Sequence, residues 1–201
     1  MESRFISIIE GSQRLFRKYG LRSISMDSVA SSLGISKKTL YQYVESKEDL
    51  IQKICEHVIE KNPAREIEEN ANLNAIEVLL EISRLTREET VELNPVVVHD
   101  LQKFYPAIYY NIYLKKRDMV CSDVNRNFVR GIKEGLYREG IEIELLSKLF
   151  VKNLMEVEDP EFLDASSGKL FFIMMDTLIR AIVNNKGLEY YEHNINLRQF
   201  N

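Results

Sequence analysis

The sequence predicts an all-α chain, and three observations carry that expectation. Only 8 glycines and 4 prolines occur in 201 residues, too few for the turns that a sandwich or barrel needs. Apolar residues recur at helical spacing between Pro63, Pro95, Pro106 and Pro160, as they should if each proline marks a helix edge. Serines that can cap helices stand just ahead of several apolar runs. With 45% hydrophobic residues the chain can bury a core, and no stretch approaches the roughly 18 apolar residues of a membrane span. The N-terminus lacks a basic segment followed by an apolar run, so the expected location is the cytoplasm.

The elements follow in order. Phe5, Ile8, Ile9, Ser12, Leu15, Phe16 and Tyr19 form one helical stripe, predicting a first helix over about residues 3–19 that Gly20 terminates. Ser25 caps a short second helix holding Val29, Ala30 and Leu33, and Gly34 supplies a left-handed turn. Ser36 then caps a second short helix holding Leu40 and Val44. Two short helices joined by a tight glycine turn make a helix-turn-helix, with Ala30 allowing the close crossing and Ile35 plugging the turn. Ser46 and Asp49 have capping-box spacing ahead of Leu50, Ile51, Ile54 and Val58, which predicts a fourth helix over about 46–62. Cys55 and Cys121 lie far apart inside helix-like stretches and read as reduced, buried thiols rather than a disulfide or a zinc site.

Charge is segregated along the chain. The whole carries −4, which argues against a general nucleic-acid coat or a polybasic membrane-surface protein. Yet the first 47 residues hold eight basic and four acidic residues, a balance of +4, while the remaining 154 hold 19 basic and 27 acidic, a balance of −8. Three of those cations sit where a helix start disfavours them: Lys37 and Lys38 behind the Ser36 cap, and Lys47 behind the Ser46 cap. A phosphate at a helix N-terminus accepts backbone N–H bonds and is neutralised by such lysines, so both starts read as phosphate-facing or groove-facing.

The pattern of Gly20, Ser25 with Met26, Val29 with Ala30, Gly34 through Ser36, Thr39 through Tyr41, Tyr43 with Val44, and Ser46-Lys47-Glu48-x-Leu50 resembles the N-terminal domain of the TetR family of bacterial transcriptional regulators. The likeness covers about residues 5–62; Lys38 stands where the family often has a small residue, and Val44 where Phe is commoner. The resemblance implies a three-helix helix-turn-helix domain over 1–47, with the fourth helix as connector. An effector-binding and dimerisation domain would occupy 48–201, giving about nine helices in all. In such a domain the second short helix enters the major groove. Lys37 and Lys38 would then reach guanine O6 and N7 or a phosphate, Thr39 a thymine methyl or backbone oxygen, and Gln42 an adenine. Tyr43 would face the groove wall, with Leu40 and Val44 turned inward. By the same resemblance Tyr41 and Lys47 clamp phosphates, and Ser25 and Ser36 do so through hydroxyl or amide.

The expected partner is a palindromic operator in double-stranded DNA, read by a homodimer. Residues 141–157 and 169–186 are apolar around too much of their circumference for surface helices, and the resemblance implies that these last two long helices pair with their copies in a four-helix bundle. Between Pro95 and Gly140 lies an aromatic stretch in which His99, Tyr109 and Tyr113 could line a pocket for a small apolar or aromatic effector, although aromatics on long helices are more often core than pocket. An effector there would release a repressor from DNA by shifting the population of two states. A DNA-binding regulator answering to a protein partner, or acting structurally, fits the same residues. Catalysis is disfavoured: His57, His99 and His193 match no metal spacing, and there is no Gly-rich phosphate loop or nucleophile elbow. No cofactor is expected.

Overall fold

The computed structural model describes residues 2–61, 65–67, 72–92, 94–157 and 167–198. Pro63 and Pro160 lie outside the described residues. Ten helices and no strand occur among them: α1 (Glu2–Tyr19), α2 (Met26–Ser32), α3 (Lys37–Leu40), α4 (Lys47–Glu60), α5 (Ala75–Glu92), α6 (Pro95–Phe104), α7 (Pro106–Lys133), α8 (Ile143–Val157), α9 (Ser167–Ile182) and α10 (Asn185–Arg198). Pro95 and Pro106 each open a helix, where a missing N–H costs nothing. The chain divides into two compact units, residues 1–61 with 93–116, and residues 62–92 with 117–201.

In the first unit Ile8, Ile9 and Phe16 of α1, Val29 and Ala30 of α2, Leu40, Val44, and Leu50, Ile51 and Ile54 of α4 close one apolar core, which Ile108 of α7 joins. The local signals act where the sequence puts them. Gly34 turns the chain at φ +64°, a conformation that disfavours any side chain, and the turn closes with Ile35 donating to the Ala30 carbonyl at 3.0 Å. One expectation needs correction: Val44 is not on the second helix of the motif. After Leu40 the backbone tightens, Gln42 and Tyr43 donating to carbonyls three residues back, so α3 ends and Val44 reaches the core from a turn.

In the second unit α9 packs on α5 and α8, and α10 on α5. Phe128, Tyr137, Phe171, Ile179, Ile182 and Tyr191 are among its most buried side chains. The second predicted bundle helix ends earlier than residue 186: Val183 pairs with Tyr137 in an isolated bridge, and Asn184 caps a further helix by accepting from Gly187 N–H at 3.0 Å. That further helix, α10, means that α8 and α9 are not the last two of the chain. The first of the pair starts at Ile143 rather than 141. Both cysteines are half-buried rather than buried; desolvation pushes the Cys55 thiol up to about 11.

Candidate nucleic-acid interface

Three serines build the edge of the first unit. Ser25 Oγ accepts from Ser28 N–H at 3.1 Å, Ser36 Oγ from Thr39 N–H at 2.9 Å, and Ser46 Oγ from Asp49 N–H at 3.0 Å. Each therefore satisfies an orphan donor of its own helix, worth about 1 kcal/mol per cap. Asp49 completes a reciprocal cap by accepting from Glu45 N–H at 2.8 Å, and Lys53 ties the same carboxylate to the Tyr43 carbonyl. The Ser36 hydroxyl also lies 2.8 Å from that of Thr39, so these two candidate contact groups are held together.

The remaining candidates fall into two sets. Lys38, Tyr41 and Gln42 are exposed, Tyr41 by 43%, which removes it from the core and presents it to solvent. Leu40 and Val44, which must hold the motif from inside, are at 0% and 2%. Tyr43 differs from expectation: it is half-buried and stacks on Phe5 of α1, ring centroids 6.4 Å apart and 26° from parallel. Lys37 differs too, because Asp27 of α2 lies 2.9 Å from its ammonium and, by hydrogen bond and charge, raises its pKa. An internal acid thus occupies the place where the sequence suggested only an external anion. Lys47 is half-buried with its ammonium 6.0 Å from the centre of the Phe16 ring, and desolvation there lowers its pKa. A phosphate beside Lys47 would offset that desolvation.

Asp100 is the residue that sequence reasoning passed over. It is buried at 5% exposure on α6, and its Oδ2 accepts from Leu21 N–H at 3.1 Å and Arg22 N–H at 3.3 Å in the turn between α1 and α2. Asn94, the α6 cap, donates to the Arg17 carbonyl at the end of α1 at 2.7 Å. These bonds span 79 and 77 residues of sequence and carry no periodic signal.

Of the candidate effector residues, His99 is exposed on α6, while Tyr109 and Tyr113 are half-buried on α7 with ring centroids 6.5 Å apart. Gln102 of α6 donates to the Tyr109 hydroxyl at 3.1 Å. A cleft of about 270 Å³ lies between α4 and α7, lined by Gln52, Glu56, Ile108, Asn111, Ile112, Leu114 and Lys115, and none of the three lines it. Among the described residues no group of three His, Cys, Asp or Glu is placed to hold a metal, and no helix is long and apolar enough to cross a membrane.

A capped helix-turn-helix with buried Leu40 and Val44 and an exposed polar face is the architecture of a DNA-binding regulator. Residues 8–54 match the family described as bacterial regulatory proteins, tetR family. Over 176 residues, 84% of this chain and 90% of the relative, the sequence is 25% identical to the uncharacterized HTH-type transcriptional regulator YvaF of Bacillus subtilis (strain 168). Two solved structures share the fold. One, reported as the molecular basis for control of antibiotic production by bacterial hormones, has a TM-score of 0.72 at 18% identity, over 90% of this chain and 98% of that one. The other, the TetR family protein CprB of S. coelicolor A3(2), has a TM-score of 0.66 at 16% identity over 100% of both chains. Residues 8–54 thus match the DNA-binding domain of that family, and most of the chain is similar to an HTH-type transcriptional regulator.

Proposed function

We propose that the protein is a homodimeric repressor that binds a palindromic operator and leaves it when a small apolar or aromatic molecule binds. Lys38 and Gln42 read base edges, Thr39 touches a base or the backbone, and Tyr41, Lys47 and the Ser25 and Ser36 cap regions hold phosphates. Lys37 joins them by exchanging Asp27 for a phosphate, and Tyr43 contributes from its place against Phe5. On this reading the DNA-reading domain is 1–47 and the effector and dimerisation domain 48–201.

The observation that carries the dimer is the exposure of large apolar side chains on α8 and α9, with Leu145 at 65%, Leu149 at 58% and Ile173 at 51%. Side chains of that size left in water twice on neighbouring helices are the mark of a covered face. The effector reading rests on the Tyr109 and Tyr113 pair, with His99 nearby in sequence, and is supported by the hormone control reported for the structural relative. Asp100, next to His99 on α6, is bonded to the turn ahead of α2, which gives an effector at α6 a route to the reading helices.

The test is selection of bound duplexes from a random pool by the full-length protein, followed by a reporter placed behind the selected sequence. The expected result is a two-fold symmetric site, a dimeric mass by light scattering, and reporter expression that falls when the protein is present. An asymmetric site bound by a monomer, or a reporter that rises, overturns the proposal.

A further inference from the structure

Cations on this protein are held by two kinds of partner. Lys53 is taken up by Asp49, Lys115 by Glu56, Arg130 by Glu134 and Lys148 by Glu144, each within an ion pair. Around the end of α1 and the end of α6 the supports are aromatic. Arg22 lies 4.5 Å over the Phe104 ring, Lys103 5.6 Å from the same ring, Lys18 5.1 Å from that of Tyr19, and Lys47 6.0 Å from that of Phe16. Arg22, Lys103 and Lys18 are exposed, and so are Phe104 and Tyr19.

The choice of partner matters physically. A carboxylate occupies the N–H donors of a guanidinium or ammonium, whereas a ring face supports the cation and leaves its outward donors open to an anion. Three of these cations, Arg22, Lys47 and Lys103, belong to one neighbourhood. Asp100 accepts from the Arg22 amide, its charge acts on Lys47, and Lys103 and Phe104 follow it on α6. The acids there are Asp100, which is buried, and Glu48, which together with Asp100 acts on Tyr105. Arg22, Lys47 and Lys103 thus outnumber those two acids.

We infer that this patch, with Arg22 on Phe104 and Lys103 at its centre, binds backbone phosphates of the duplex flanking the base-reading half-site. The inference rests on the DNA-reading assignment above, since Lys47 is the residue the two surfaces share. The helix-turn-helix would then be one part of a longer phosphate track that crosses from the α4 start to the end of α6. Phe104 supplies a platform that fixes the Arg22 guanidinium before DNA arrives, and Asp100 fixes its backbone. Neither group reads a base, so the patch adds affinity and salt dependence while leaving sequence preference unchanged.

The experiment compares the full-length protein with an Arg22→Gln, Lys103→Gln double variant on the selected operator, as a short duplex ending at the base-read core and as one carrying flanking base pairs on both sides. For the wild type the long duplex binds more tightly. In the double variant that gain disappears, the slope of log K against log salt on the long duplex falls by about 0.9 for each phosphate no longer neutralised, and binding to the short duplex is retained. A Lys38→Ala control weakens both lengths alike. Phe104→Leu, which keeps both charges and removes the ring, reduces the gain part-way. A double variant that keeps the full slope and the full flank gain overturns the inference while leaving the DNA-reading assignment intact. Failure of the wild type to select any duplex removes both.

Discussion

In the first unit one buried carboxylate, Asp100, accepts from two backbone N–H groups of a turn, and each short helix start is otherwise capped by its own serine. In the second unit buried polar groups are linked in a chain. The Tyr137 hydroxyl donates to Asn127 at 2.9 Å, and Asn127 donates to the Ala75 carbonyl at 2.9 Å. Glu134 accepts from Ala75 N–H at 2.8 Å and from Arg130 at 2.7 Å, and Arg130 reaches the Leu73 carbonyl. The start of α5 is thus held from α7 and the turn after it, more than fifty residues away, as well as by its own Asn74 and Glu77. The difference teaches that the short helices α2 and α3 are capped from within, whereas the start of α5 adds partners across the fold to its own cap. A linked chain concentrates risk, because each member left unpaired is a buried polar group without a partner.

The contrast is sharpest where backbone meets backbone. Gly187 opens the first turn of α10, and a Cβ there would overlap the Leu136 carbonyl oxygen, which is itself accepting from Asn184 N–H. Gly187→Ala is therefore expected to cost about 3 kcal/mol, the upper end of overpacking, read as a fall in the denaturant midpoint. Hydrogen exchange should rise in the second unit. A stability within a few tenths of a kcal/mol of wild type would show that the backbone relaxes freely around the added methyl.

Asp100→Ala should cost about 2 kcal/mol by stranding the Leu21 and Arg22 N–H groups, the first of them buried. Faster exchange is expected in the turn at 20–25 and in α2, with the α5 and α7 amides of the second unit unaffected. Exchange that rises equally in both units would break the comparison. Tyr137→Phe is the mildest change, about 1 kcal/mol, because it removes one donor from a chain whose other bonds survive. Its expected signature is faster exchange at the Ala75 amide with unchanged DNA binding; altered operator affinity would show that the second unit's polar chain reaches the reading surface.

What is legible in the sequence depends on how far along the chain each signal reaches. Gly20 and Gly34 both adopt positive φ, and Ser25, Ser36 and Ser46 all cap, because each signal acts within four residues of itself. The charge balance of +4 is equally visible, being a sum along one segment. The Asp27 partner of Lys37, the Phe5 ring under Tyr43 and the Asp100 bonds to the turn are not, since each needs two segments brought together by a core that periodicity describes only in outline. The second bundle helix reads as running to 186 for a related reason. Its apolar run continues into Val183, and only the bridge to Tyr137 shows that the backbone has left the helix.

The self-capped short helices of the first unit carry a consequence for how this protein can change over generations. Leu40 and Val44 hold the motif from inside, and Ser36 and Gly34 set its turn, while Lys38, Tyr41 and Gln42 point to solvent. Substitution at those three positions leaves the core side chains and the Ser36 cap in place and falls within the few tenths of a kcal/mol typical of surface sites. If those residues read DNA as proposed, a lineage could retarget the protein through single surface replacements, each folding as well as its parent, without an unstable intermediate along the way.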